Sequence, residues 1–189
     1  MQYPGTEGDG GPGHKKRIGW DRHHRARPPL VKKEIQYLIE STGSDPLVIL
    51  RGKEIVTFIG HVLLFNYYGE IREKDPIKTM TDKVRQAGGA AVLAHPFRYG
   101  QKLKDSPDKI KRLFSLFDAV EIMTPNHSPE EIRIGLQWAK AWRLAAVGSS
   151  DSHDPRSIGA YLTSIPKLIQ TESDLVQALQ GHLCRAVKP

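Results

Sequence analysis

The chain has 189 residues, 39% hydrophobic and 26% charged, with 28 Lys and Arg against 21 Asp and Glu. The length suits one domain, the apolar share excludes global disorder, and the single cysteine excludes a disulfide framework or a cysteine-based zinc module. No apolar run nears the roughly 20 residues that span a bilayer, and no signal-peptide pattern opens the chain, so a cytoplasmic protein without membrane contact is expected.

Residues 1–29 hold six basic and three acidic side chains, six of the 17 glycines and four of the 13 prolines, and Ile18 is their single branched aliphatic residue. Such a segment cannot bury enough apolar area to offset its ordering entropy, and a disordered or non-native leader is expected there. It carries +3 of the net +7, which leaves a mild +4 on residues 30–189, the expected domain. The leader lacks aromatic interleaving and any RNA-binding signature, which argues against specific nucleic-acid binding.

From Leu30 onward the pattern changes. Apolar residues at 31, 35, 38 and 39 predict a helix over 31–40, and LVIL at 47–50 reads as a buried strand. Glu54–Phe58 and His61–Phe65 are two further β-like runs, parted by Ile59-Gly60. Residues 76–86 read as a helix stopped at Gly88-Gly89, and 90–94 as a strand. Ser106 and Pro107 open a helix reaching Phe117, and 119–122 is a strand. Ser128-Pro129-Glu130-Glu131 opens a helix that runs to Trp142, followed by a strand at 144–148. A weaker strand at 160–165 and a helix at 172–180, ended by Gly181, complete the pattern. Strands alternating with helices predict βα units and a parallel sheet, as an open doubly wound sheet or a βα barrel.

In such architectures chemistry collects past the carboxyl ends of strands. His95-Pro96 follows the strand at 90–94, Glu121 lies within AVEI, and Ser149 to Asp154 follow the strand at 144–148. Glu54 comes shortly after LVIL, and His61 follows Gly60. Five strand ends would thus bring an imidazole or a carboxylate to one rim. Asp151 and His153 are two apart, so in an extended chain they point to one side. A buried carboxylate such as Glu121 needs a cation or a metal as partner. Mixed histidine and carboxylate donors suit zinc, manganese or iron. His127, beside an N-cap, and His182, after a helix, lack this placement and read as structural.

These residues resemble a known family. Gly148-Ser149-Ser150-Asp151-Ser152-His153, with Ile158-Gly159 after it, resembles the last metal motif of the polymerase and histidinol phosphatase (PHP) family. Leu93-Ala94-His95-Pro96 resembles its "AHP" motif, and Gly52-Lys53-Glu54-Ile55 with Gly60-His61 its "G-x-E … G-H" segment. The resemblance covers about residues 30–187 and implies an α/β fold, a distorted βα barrel. It implies two or three divalent metal ions (Zn, Mn or Fe) at the rim and a phosphoesterase acting on phosphomonoesters, nucleotides or oligonucleotides. Carried over residue by residue, Glu54 would be a bridging carboxylate, His61 and His95 ligands, and Asp151 with His153 the final ligand pair. Glu121 would be an auxiliary ligand.

The family's first strand ends in a His-x-His that this chain lacks, and its second ends in a motif echoed by Asp21 with His23 or His24. His24 is carried into the ligand set. The chain is therefore expected to be N-terminally incomplete, a partial barrel lacking its first strand or strands. An exposed sheet edge of that kind predicts marginal stability or a homo-oligomer. The implied chemistry is hydrolysis by a metal-activated water, with Asp151 and His153 in catalysis and Arg98 clamping phosphate. The substrate would be a phosphorylated small molecule or nucleotide. The alternative is an inactive PHP-like remnant that serves as a binding or structural module.

Overall fold

The computed structural model describes residues 48–72, 74–98 and 106–189. The helix expected at 31–40, the leader and His24 lie outside the described residues. A hairpin comes first. β1 (Gly52–Thr57) and β2 (Gly60–Phe65) pair antiparallel through a two-residue turn at Phe58-Ile59. The Thr57 hydroxyl closes that turn by donating to the Gly60 carbonyl at 2.7 Å. LVIL departs from its expected strand: residues 48–50 have no regular structure, and Val48 is exposed. An apolar run becomes a strand by pairing, and among the described residues β1 is the last strand on that side of the sheet.

α1 (Ile77–Gln86) buries Ile77, Met80, Thr81 and Val84 on one face and stops at Ala87-Gly88, where Gly88 takes a φ of 77°. β3 (Ala90–Leu93) is wholly buried. α2 (Pro107–Phe114) starts with proline at its first turn and stops three residues short of Phe117; Ser106 precedes it without a capping hydrogen bond from its side chain. β4 (Ala119–Met123) leads to α3 (Pro129–Trp142). Ser128 and Glu131 form a reciprocal capping box at the start of α3, and Arg143 at φ 55° ends it. β5 (Ala145–Gly148), a 3-10 turn at Pro155–Ser157 and β6 (Leu162–Ser164) follow. α4 (Glu172–Gln180), capped by Thr171 and Asp174, and the short β7 (Arg185–Val187) close the chain. β7 was not expected, because three residues with two apolar members give no periodic signal.

The seven strands form one sheet in the order β1-β2-β3-β4-β5-β7-β6. The expected parallel sheet is corrected to a mixed one: β3–β4, β4–β5 and β5–β7 are parallel, while β1–β2, β2–β3 and β6–β7 are antiparallel. The two-residue turn before β2 leaves no room for a crossover, so its strands must run antiparallel. Among the described residues the sheet is open, with β1 and β6 at its ends, and the architecture is mixed α/β rather than a closed barrel.

Strand alternation assigns the two faces. Ala91, Leu93, Val120 and Ile122 pack with Ile77, Met80, Val84, Ile110 and Phe114. Ala90, Val92, Ala119 and Val147 pack on the other face with Val176, Leu179 and Cys184. At Gly135 of α3 an added Cβ would lie 2.8 Å from Ile122 Cγ2, so the helix sits on β4 at glycine distance. Asp118 pins β3 to β4: its Oδ2 accepts from Ala91 N at 2.8 Å and its Oδ1 from Arg85 Nε at 2.9 Å. No helix among the described residues is long and apolar enough to cross a membrane.

Candidate metal centre

The hairpin decides where the first two site residues fall. Glu54 lies inside β1 and His61 at the amino end of β2, so neither occupies the carboxyl end of a strand as the sequence suggested. The antiparallel pairing of β2 with β3 nevertheless places the start of β2 beside the end of β3, and Ala94 N donates to the His61 carbonyl at 3.1 Å. Glu54 pairs with Leu63 and Val56 with His61, which makes Glu54 and His61 diagonal neighbours on one face. His95, past the end of β3, completes the group.

In this group Glu54 Oε1 lies 2.6 Å from His61 Nδ1 and 3.9 Å from His95 Nε2. The two imidazole centroids are 4.9 Å apart at 70°. One donor atom from each of Glu54, His61 and His95 falls within 4.8 Å of the other two, close enough to share one cation. His61, together with His95, holds the Glu54 carboxyl well below the usual carboxylate range by hydrogen bonding, against the opposing effect of burial. A carboxylate kept ionised between two imidazoles is a donor set suited to a divalent transition metal, so the residues fit the ion that the sequence implied.

Asp151 joins from the loop after β5. Its Oδ2 is 4.0 Å from His95 Nε2, and it accepts from Arg98 Nη1 at 3.0 Å and from Asn126 Nδ2 at 2.6 Å. Arg98 thus stands at the rim, paired with a carboxylate. His153 is placed differently. Asp151 takes a φ of 43°, so the chain is not extended there and the two side chains do not share a side. The exposed His153 ring turns back instead, and its Nδ1 donates to the Asp151 carbonyl at 2.9 Å.

Glu121 continues the β4 face shared with Ala119, and it is buried. Its Oε2 accepts from His95 N at 2.7 Å, and its Oε1 accepts from the Ser149 hydroxyl. His127 is structural: Nδ1 donates to the Ile122 carbonyl at 2.8 Å and Nε2 accepts from Phe97 N at 3.2 Å. Burial pushes the His127 imidazole below its ordinary value. Sequence reasoning missed Asn126 and Ser149 as working parts of the site. Ser149 is the first residue past β5, and Asn126 lies just past β4, so strand-end position was an available signal for both.

Residues 129–181 match the PHP-associated family, PHP_C. That segment is similar to the PHP-associated family. The matched segment runs from α3 to the end of α4 and includes the Gly148–His153 motif, which bears out the resemblance noted from the sequence. Glu54, His61 and His95 lie before it and join the centre through geometry. The fold is similar to that of PsfC from Pseudomonas syringae PB-5123, at a TM-score of 0.58 and 18% identity over 75% of this chain and 59% of that one. The chain thus spans somewhat over half of PsfC. A protein from Bifidobacterium adolescentis, provisionally described as a metal-dependent phosphoesterase, aligns at a TM-score of 0.38 and 19% identity, covering 59% of this chain and 40% of that one. No curated protein matches the chain.

Proposed function

We propose that this chain is the metal-holding part of a phosphoester hydrolase for a phosphorylated small molecule or nucleotide. The observation that carries the reading is the convergence of Glu54, His61 and His95 from three strands onto one point. Those three side chains would hold one divalent ion, Zn, Mn or Fe, and Asp151 beside His95 would be shared with a second. Any remaining donors of a two- or three-ion centre would come from outside the described residues, with His24 the sequence candidate. A bound ion there supplies Lewis-acid polarisation and an activated water. Arg98, already at the rim, offers a planar fork to phosphate oxygens once it leaves Asp151. His153 donates from Nδ1 to a carbonyl, which leaves its Nε2 for proton exchange with the leaving oxygen.

The second reading, an inactive remnant that binds without turnover, is favoured by one contact. The Arg98 guanidinium lies 3.0 Å from Asp151 Oδ2, where a cationic side chain can neutralise the carboxylate in place of a metal. Titration of the chelator-stripped full chain with Mn²⁺ and Zn²⁺ by calorimetry, followed by hydrolysis of p-nitrophenyl phosphate, separates the two. Hydrolysis should require the ion and vanish in Asp151→Ala. Binding without turnover supports the remnant, and a chain that takes up neither ion refutes both metal assignments.

A further inference from the structure

Glu121 is a buried carboxylate that hydrolysis as described leaves without a task. It sits at 1% exposure in the middle of β4, between Val120 and Ile122, where an ionised group persists only if its oxygens are satisfied. They are satisfied by two different turns. Oε2 takes the backbone amide of His95, past the end of β3, at 2.7 Å. Oε1 takes the hydroxyl of Ser149, past the end of β5, and the Ser149 oxygen in turn accepts the backbone amide of Asp151 at 3.3 Å. One carboxylate on the central strand therefore reaches the backbone of both neighbouring strand exits, directly on one side and through a hydroxyl on the other.

The two residues held in this way share a backbone peculiarity. His95 has a φ of 26° and Asp151 a φ of 43°, both in the left-handed region that non-glycine residues avoid. Such conformations are costly for non-glycine residues and persist where surrounding contacts over-determine them. His95 and Asp151 are also the pair whose side chains, 4.0 Å apart, face each other across the centre. The strained backbone is what aims them.

We propose that Glu121 is a positioning residue. It clamps the His95 and Asp151 turns in their left-handed conformations through His95 N and through Ser149, and so presets the distance between two metal donors. The residue type follows from the donors. Both the His95 amide and the Ser149 hydroxyl give a proton, so both ends of the side chain must accept. A carboxylate does this, whereas an amide side chain offers one acceptor and one donor. The meaning for metal binding rests on the centre described above, but the clamp itself belongs to the folded chain without any ion.

The test uses the full chain, Zn²⁺ as the probe, and two readouts: amide hydrogen exchange of the metal-free protein by NMR, and Zn²⁺ affinity by calorimetry. Ser149→Ala cuts one arm. Exchange at the Asp151 amide should quicken about tenfold or more while the His95 amide keeps its protection, and Zn²⁺ affinity should fall several-fold. Glu121→Ala cuts both arms, so both amides should lose protection and affinity should fall by about 10- to 100-fold, the range for lost supporting contacts around metal ligands. If Glu121→Ala does not fold, Ser149→Ala decides alone. Unchanged protection at the two amides, or variants that bind Zn²⁺ as tightly as the wild type, overturns the clamp. A wild-type chain that binds no Zn²⁺ instead overturns the metal centre, so the two failures are distinguishable.

Discussion

Asp118 offers a direct measure of how firmly the scaffold holds the rim. It is buried at the start of β4, and its own amide donates to the Ala91 carbonyl at 2.9 Å while its Oδ2 accepts from Ala91 N at 2.8 Å. Its other oxygen meets Arg85 Nε at 2.9 Å, and Arg85 also donates to the Leu116 carbonyl at 2.8 Å. Asp118→Ala leaves the buried Ala91 amide without its acceptor, a cost of about 1–3 kcal/mol. The ion pair adds little more, about 0–1 kcal/mol, because the Arg85 side chain is 35% exposed and keeps Leu116 and water. The expected loss is about 1–4 kcal/mol. Asp118→Asn keeps an acceptor for Ala91 but loses both the charge and the acceptor toward Arg85, which retains Leu116 and water, so up to about 1 kcal/mol is expected. In urea unfolding, with a slope of about 2 kcal/mol/M, the alanine variant should shift the midpoint down by about 0.5–2 M and the asparagine variant by no more than about 0.5 M. Equal shifts in the two variants, or a loss below about 0.5 kcal/mol in Asp118→Ala, would refute the reasoning that the Ala91 amide is what Asp118 satisfies.

Two further outcomes are expected. An added Cβ at Gly148 would lie 2.5 Å from the Leu162 carbonyl oxygen, so Gly148→Ala must push β6 off β5 and strain the Thr163 hydroxyl bonds to Gly148 N and O; a loss of about 1–3 kcal/mol is expected in urea unfolding, and wild-type stability would contradict the close approach. Burial lowers the pKa of His127, so below the ordinary histidine value of 6.5 the unfolded chain takes up a proton at this residue that the folded chain does not. Its contribution to stability is therefore intact above pH 6.5 and is lost as pH falls from there toward the lowered folded value. Between pH 7 and 5, wild type should lose up to about 1.4 kcal/mol per pH unit more than His127→Gln, measured by unfolding at each pH; parallel curves would show that His127 titrates alike in both states.

Much of the order of elements was legible because it is written in local signals. α4 occupies 172–180 and stops at Gly181 as read from the sequence, and α3 starts at the Ser128-Pro129 signal. The wholly apolar runs at 90–93 and 119–123 are buried strands covered on both faces, apart from the single polar residue Glu121. LVIL failed because an apolar run does not name its pairing partner. Strand direction failed at β2 because the parallel rule was applied across a two-residue turn. At the rim, His95 and Asp151 stood out by position, whereas Asn126 and Ser149 carry no residue-type signal of their own. Their importance lies in what they touch, namely the carboxylates of Asp151 and Glu121.

By itself the sequence determined the helices among the described residues, most of the strands there and the cast of imidazoles and carboxylates, since periodicity, caps and residue chemistry act over a few neighbours. The tertiary structure alone decided which of them meet. Reversal of β2 carries His61 to the end of β3, and the left-handed turns at His95 and Asp151 aim two side chains at each other while His153 Nδ1 meets the Asp151 carbonyl. Those outcomes depend on register and on backbone angles set by distant contacts, the Glu121 carboxylate foremost, and no local pattern of residues encodes them.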